Sequence, residues 1–290
     1  SEGKGHLGVL IDGGYYFILT VVILIVWPLH LMQAVRLLEG MMQAYLLVLS
    51  GFFLWRFLCM RTKTISAIIR EDCREILYFS SQMIISGIVI YWLTSCARIY
   101  IKYFLGYEQV GIYSLYYRFA GIAIVIHQFM YIAFFKQLYM ANPRKMDNYY
   151  LTVMGLVFGG SLCCFFFAPL LSHFFFDGTN MGNSRLFLLL IFQMPIWVGI
   201  SLCEGVVSRE NMVRQMNFRI GALVLLFPLV LLLIRNHLSL ELFALINGVF
   251  FVMAFGLQLW LLRRKGILLY KCIWLTLGLL IGSIIIYFIY

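Results

Sequence analysis

The sequence predicts an all-α fold, a bundle of helices that crosses a membrane many times. Three observations carry this reading. The 290 residues are 63% hydrophobic and only 12% charged, whereas a soluble domain carries roughly 25% charged residues. The mean hydropathy is +0.94. The apolar residues also fall in runs near the ~20 residues that a helix needs to cross a ~30 Å hydrocarbon slab. A water-soluble core could not absorb such an apolar surplus, and a bilayer can.

Taken in order, the runs give about nine spans. The first lies near 15–32 and the second near 41–60. The third starts at 76 and extends as far as 103, and the fourth covers 112–135. The fifth is 150–171, the sixth 186–203 and the seventh 220–234, which is short and is expected to borrow residues from its flanks. The eighth is 242–262 and the ninth 267–290.

The connections sort by charge. One alternating set holds Arg61, Lys63, Arg70 and Arg74, then Lys136, Arg144 and Lys145, then Arg209, Arg214 and Arg219, then Arg263, Arg264, Lys265 and Lys271. The other holds Arg36, Arg98, Lys102, Arg185 and Arg235. The first set is about threefold richer, which the positive-inside rule assigns to the cytoplasm. The net charge of +10 is thereby explained by topology, and nucleic acid is excluded as a partner. Residues 61–75 mix Arg61, Lys63, Arg70, Glu71, Asp72, Arg74 and Glu75 with Ile65, Ile68 and Ile69. They read as an amphipathic helix on the inner membrane surface, the expected junction between two lobes. Both ends look cut, the start at Ser1 and the stop at Tyr290 inside an apolar run.

Several chemistries are excluded. No GxxxxGK[ST] loop is present for nucleotide. The seven cysteines (Cys59, Cys73, Cys96, Cys163, Cys164, Cys203, Cys272) lack metal-ligand spacing and read as small buried apolar residues. The histidines are scattered, and His127, inside the fourth span, reads as a core residue bonded to a neighbouring helix or as a proton-coupling group. No catalytic group, cofactor or metal is expected, and the short connections leave no room for a soluble catalytic domain.

Charges inside spans say more, because each costs several kcal/mol near the bilayer centre unless it faces protein or water. Arg98 and Lys102 stand four apart on one face of the third span or its extension, and Arg118 lies about two turns into the fourth. One reading has Arg98 and Lys102 snorkelling to outer headgroups and Arg118 paired with an acid. The other is a cationic patch on a water-filled cavity, suited to a phosphate or pyrophosphate head group. Tyr100, Tyr103, Tyr107, Tyr113, Tyr116 and Tyr117 cluster beside them, as an interfacial belt or as stacking surfaces for sugar rings. Glu204 is expected to pair with Arg209 or Arg214 at the end of the sixth span, and Arg56 to anchor the second span at the interface.

The stretch from Ser95 to Phe119 reads SCARIYIKYFLGYEQVGIYSLYYRF. An Arg near the end of a span, then FLG, three residues, VGIYS and a Tyr-rich helix start resemble the oligosaccharide flippases of bacterial O-antigen and capsule biosynthesis. These belong to the multidrug/oligosaccharidyl-lipid/polysaccharide exporter superfamily. Gly106 would end one helix, and Gly111 would let the next start tightly packed. The resemblance implies that residues 1–60 close an N-terminal lobe whose first helices lie outside this chain, that 61–75 links the lobes, and that 76–290 form the C-terminal lobe. Where such proteins usually have an acid before the Arg, this chain has Ala97.

The implied activity is flipping of a polyprenyl-pyrophosphate-linked oligosaccharide across the bacterial inner membrane by alternating access, with Arg98, Lys102, Arg118, Tyr113 and Tyr117 binding substrate. Membrane lipids and polysaccharide-assembly proteins would be its partners. On that reading this stretch alone transports nothing, since half of the cavity wall lies outside it. Two rivals stay open. One is a drug/cation antiporter of the same superfamily, which would be expected to bury acids. The other is a membrane-embedded polysaccharide-assembly enzyme, which would need catalytic acids or His in a cavity.

Overall fold

The computed structural model describes residues 68–124, 142–167 and 183–289, with isolated positions between 40 and 54 and at 127 and 130; the side chains of 68–76 are outside that description. The chain divides into two compact units, Ser1–Glu75 and Ile76–Tyr290. In the first, the described positions from Gly40 to Leu54 are helical and exposed, and all but Gly40 lie inside the second expected span. The expected span at 15–32, Arg56, and the side chains of the 61–75 linker lie outside the described residues.

From Ile68 onward the described residues form α-helices, the first of which crosses the boundary between the units, with no strand among the described residues. In chain order these are α1 (Ile68–Ser95), α2 (Ala97–Leu105), α3 (Tyr107–Gly121), α4 (Pro143–Phe166), α5 (Ser184–Arg209), α6 (Val213–Leu233), α7 (Leu240–Arg263) and α8 (Tyr270–Ile289). Six stretches among the described residues are long and apolar enough to cross a membrane: the part of α1 from Leu77, and α4 to α8. This is the architecture of a multi-pass membrane protein.

Helix α5 is the axis of the bundle. Its most apolar stretch is 78% buried, against 17–50% for the other five. The cause is its sequence, SRLFLLLIFQMPIWVGISLCEGVVSR, which is apolar on every side and so leaves no face for anything but protein. Helices α3, α4, α6, α7 and α8 all pack on it. A buried amide fixes one of these contacts: Gln193 Nε2 donates to the Ala244 carbonyl at 2.6 Å, and Asn247 Nδ2 donates to Gln193 Oε1 at 3.2 Å. Gly248 makes room, since a Cβ there would lie 3.2 Å from Gln193 Cγ. Tyr150 of α4 donates to the Leu202 carbonyl at 2.8 Å, and Ser86 of α1 donates to Glu204 Oε1 at 2.8 Å.

A carboxylate joins α4 to α8. Asp147 is buried, and its two oxygens accept from the backbone N–H groups of Lys271 (3.0 Å) and Cys272 (3.2 Å). Those are orphan donors of the first turn of α8, at the positive end of the helix dipole. The short connections after α5 and α7 make α5, α6, α7 and α8 successive antiparallel neighbours. The start of α4 therefore shares one end of the bundle with the starts of α6 and α8 and the ends of α5 and α7. Arg144, Lys145, Arg209, Arg214, Arg263, Arg264, Lys265 and Lys271 lie at or near that end, and Arg185 and Arg235 lie at the other.

Several boundaries differ from those expected. The third span does not run unbroken to 103: α1 stops at Ser95, and Cys96 makes a turn (φ −77, ψ −3) before α2. Thr94 Oγ1 donates back to the Ile90 carbonyl at 2.8 Å, a bond that competes with the helix ladder and bends helices. Helix α4 begins at Pro143, seven residues before the expected 150, because Pro is well suited to the first helical position. The seventh span starts at Val213, so it does borrow from its N-terminal flank. Gly111 is exposed and a Cβ on it would touch nothing within 4 Å, so tight packing is not its role. Cys96, Cys203 and Cys272 are buried, but Cys163 is exposed.

Close packing occurs at Gly199 instead, where a Cβ would lie 2.8 Å from Phe255 Cζ and 3.3 Å from Met154 Sδ. Gly199→Ala is expected to lower thermal stability in detergent by ~1–3 kcal/mol through overpacking. Gly111→Ala, in an open helical position, is expected to be neutral or to raise it by up to ~1 kcal/mol. Equal effects of the two would contradict this packing.

Candidate functional site

The turn between α2 and α3 positions the residues singled out above. Gly106 holds φ 94 and ψ 173, a region open essentially to glycine alone, and its N–H donates to the Ile101 carbonyl at 3.1 Å. It ends α2 and starts α3, and the two helices pack on each other. Arg98 on α2 thereby comes over the ring of Tyr117 on α3, with Cζ 5.4 Å from the ring centre. Tyr117 stacks on Tyr113 at 5.7 Å and 25°. Within this α2–α3 pair the structure therefore brings Arg98, Tyr113 and Tyr117 together.

Lys102 lies apart, with Nζ 4.7 Å from the centre of the Tyr107 ring. Both Lys102 and Tyr107 are exposed. Arg118 is exposed on α3, and among the described residues no hydrogen bond, ion pair or ring contact joins it to the other four. Cation–aromatic contacts of this kind contribute about 0.5–1 kcal/mol when exposed and more when water is excluded.

The Arg98 group rests on an aromatic circuit that the sequence reading did not find. Tyr113 meets Phe243 of α7 edge-on at 6.1 Å. Phe243 meets Phe227 of α6 at 5.9 Å, and Phe227 meets Tyr100 of α2 at 5.3 Å. Tyr100 is two residues from Arg98, so the circuit closes through four helices. Each edge-to-face pair adds about 0.5–1.5 kcal/mol beyond area burial. Phe227 and Phe243 were legible only as apolar positions, because aromatic pairing across helices leaves no mark in a single sequence.

Tyr113 is fully buried, and its hydroxyl has no hydrogen-bond partner among the described residues. The unbonded hydroxyl sits on the ring next to the Arg98 platform.

A cavity of about 730 Å³ opens at the end of the bundle where α5 and α7 begin, lined by residues that include Gln109, Tyr116, Asn183, Ser239 and Glu241. That volume is in the range of small-ligand pockets. None of Arg98, Lys102, Arg118, Tyr113 and Tyr117 lines it. Its polar wall is made by helix caps. Asn183 Oδ1 accepts from Leu186 N–H at 3.0 Å, and Ser239 Oγ accepts from Leu242 N–H at 3.1 Å. Asn183 Nδ2 donates to Glu241, and the Asn183 N–H donates to Tyr116 Oη at 2.9 Å. The cap signals were present in the sequence, since Asn and Ser each precede an apolar run.

His127 is buried and its Nε2 lies 3.3 Å from Ser201 Oγ of α5, which fits a core histidine bonded to a neighbouring helix. Glu204 lies inside α5, which continues to Arg209, and accepts from Ser86, while Arg209 pairs with Glu210 at 2.9 Å. Among the described residues no group of three His, Cys, Asp or Glu side chains is placed to hold a metal.

Comparison with protein-family models, with curated proteins and with solved structures gives no match to this chain. The chemistry of the site therefore rests on the residues themselves.

Tyr113→Phe is expected to leave the unfolding free energy in detergent unchanged or to raise it by ~1 kcal/mol, because it removes a buried hydroxyl that no partner satisfies among the described residues. Tyr113→Leu, which breaks both ring contacts, is expected to lower it by at least ~1 kcal/mol. Equal losses from the two variants would show that the hydroxyl is bonded after all.

Proposed function

We propose that this chain belongs to a flippase for a polyprenyl-pyrophosphate-linked oligosaccharide in the bacterial inner membrane. In this reading it has about nine spans in an exporter-type two-lobe fold, and it makes and breaks no covalent bond. The observation that carries the reading is the Arg98–Tyr117–Tyr113 group: a planar cation on an exposed face of α2, held over the half-buried ring of Tyr117, which stacks on the buried Tyr113 with its unbonded hydroxyl. A guanidinium offers paired donors to a phosphate, and aromatic faces suit sugar rings. A cation at membrane depth would need water or a polar ligand around it, which a transport cavity supplies. Arg118 and Lys102 would add positive potential near the same path.

A second reading, the drug/cation antiporter, is favoured by a different observation. Glu241 puts a carboxylate into the wall of the 730 Å³ cavity, where a cationic ligand would be welcome.

The test is flipping of a fluorescent lipid-linked oligosaccharide in proteoliposomes made with the product of the whole gene. Arg98→Ala and Arg118→Ala are each expected to lower the rate about tenfold or more, the scale of a lost charge-assisted contact. Tyr113→Phe is expected to lower it while stability holds. Export of a cationic dye without lipid flipping, abolished by Glu241→Gln, would replace this proposal with the antiporter.

A further inference from the structure

At the basic end of the bundle α7 and α8 part to leave an apolar groove of about 250 Å³. Val252, Leu259, Ile273 and Leu277 line it, and Trp260 and Arg263 stand in its wall. Gly256 also lines it, and a Cβ there would project into open space, with nothing within 4 Å. Gly256, Trp260, Arg263 and Leu277 are exposed, so the groove faces outward from the described bundle.

Its charged surroundings are unbalanced. Arg263, Arg264 and Lys265 follow one another, and Lys271 stands on the first turn of α8. Asp147, the acid in contact with the start of α8, is buried and occupied by two backbone N–H groups of that helix. The Arg263 guanidinium has no partner among the described residues. Two further guanidiniums hold the indole of Trp260: Arg264 Cζ lies 3.9 Å and Arg219 Cζ 4.2 Å from its centre. The end of the groove is thus cationic and aromatic, and its depth is apolar.

We infer that this groove is a site for an anionic phospholipid, with a stretch of acyl chain between α7 and α8 and the head-group phosphate on Arg263. Charge complementarity selects the occupant. The groove is too narrow for a folded partner, its lining repels a free ion, and basic residues at the inner membrane surface attract anionic head groups. Trp260 sits where an interfacial aromatic would, between chain and phosphate. The site is separate from the Arg98 group and does not depend on the flippase reading.

Tryptophan quenching by brominated lipids tests it. The whole chain is reconstituted in phosphatidylcholine with rising fractions of brominated phosphatidylglycerol or of brominated phosphatidylcholine. The quenching lost in Trp260→Phe is the signal of the groove. That signal is expected to half-saturate at about fivefold lower mole fraction for phosphatidylglycerol, the effect of one head-group charge contact. Arg263→Gln, at an exposed position, is expected to abolish the preference, and Gly256→Leu to reduce the signal for both lipids. Equal half-saturation in the wild type, or a preference that survives Arg263→Gln, would overturn the proposal. Relief of quenching by water-soluble glycerophosphate would assign the site to a free phosphate and overturn it too.

Discussion

The amide of Gln193 lies inside α5, at a depth where bulk water cannot reach it and an unbonded polar group costs several kcal/mol. Among the described residues it is satisfied by α7 alone, through the Ala244 carbonyl and the Asn247 amide. That requirement ties the two most extensively packed helices of the bundle together, at a spot where Gly248 permits the approach. The rest of the packing follows. Once α7 covers one side of α5, α4 and α8 close the others, and Asp147 joins those two. Lipid gives helices no hydrophobic reason to associate, so small residues and internal hydrogen bonds carry much of the specificity. Gly199 under Phe255, and Gly282 under Phe192, serve the first purpose.

Much of this order could be read from the sequence, because a bilayer imposes a length and a polarity that survive without any tertiary knowledge. The eighth expected span matches α7 to within two residues, and the sixth matches the start of α5 but stops six residues before its end at Arg209. The misreadings have physical causes. The apolar pattern runs straight through Cys96, so the break there depends on Thr94 turning its hydroxyl back on the helix, which hydropathy does not register. The fifth span was started too late because Arg144, Lys145 and Asp147 look like a connection, although they form the first turns of α4. Gly111 is open and Gly199 is crowded, a difference that only the facing helix decides and the sequence does not carry.

The candidate site was legible in part. Arg98, Tyr113 and Tyr117 were chosen by type and spacing, and the Gly106 turn does bring them together. Lys102 and Arg118 share their neighbourhood in sequence but not their contacts. The Asn183–Glu241 pair joins residues far apart in the chain, and no local pattern announces it.

The bond from Trp92 Nε1 to Tyr100 Oη, 2.9 Å long, spans the break at Cys96. It works as a brace across an elbow. With it in place, α2 cannot swivel against α1 unless an indole gives up its partner, and Tyr100 is also wedged against Phe227. Arg98 stands two residues before Tyr100, so the backbone that carries it is tied to α6 through the Tyr100–Phe227 contact. The elbow at Cys96 is thus held by two side-chain contacts as well as by its backbone bonds.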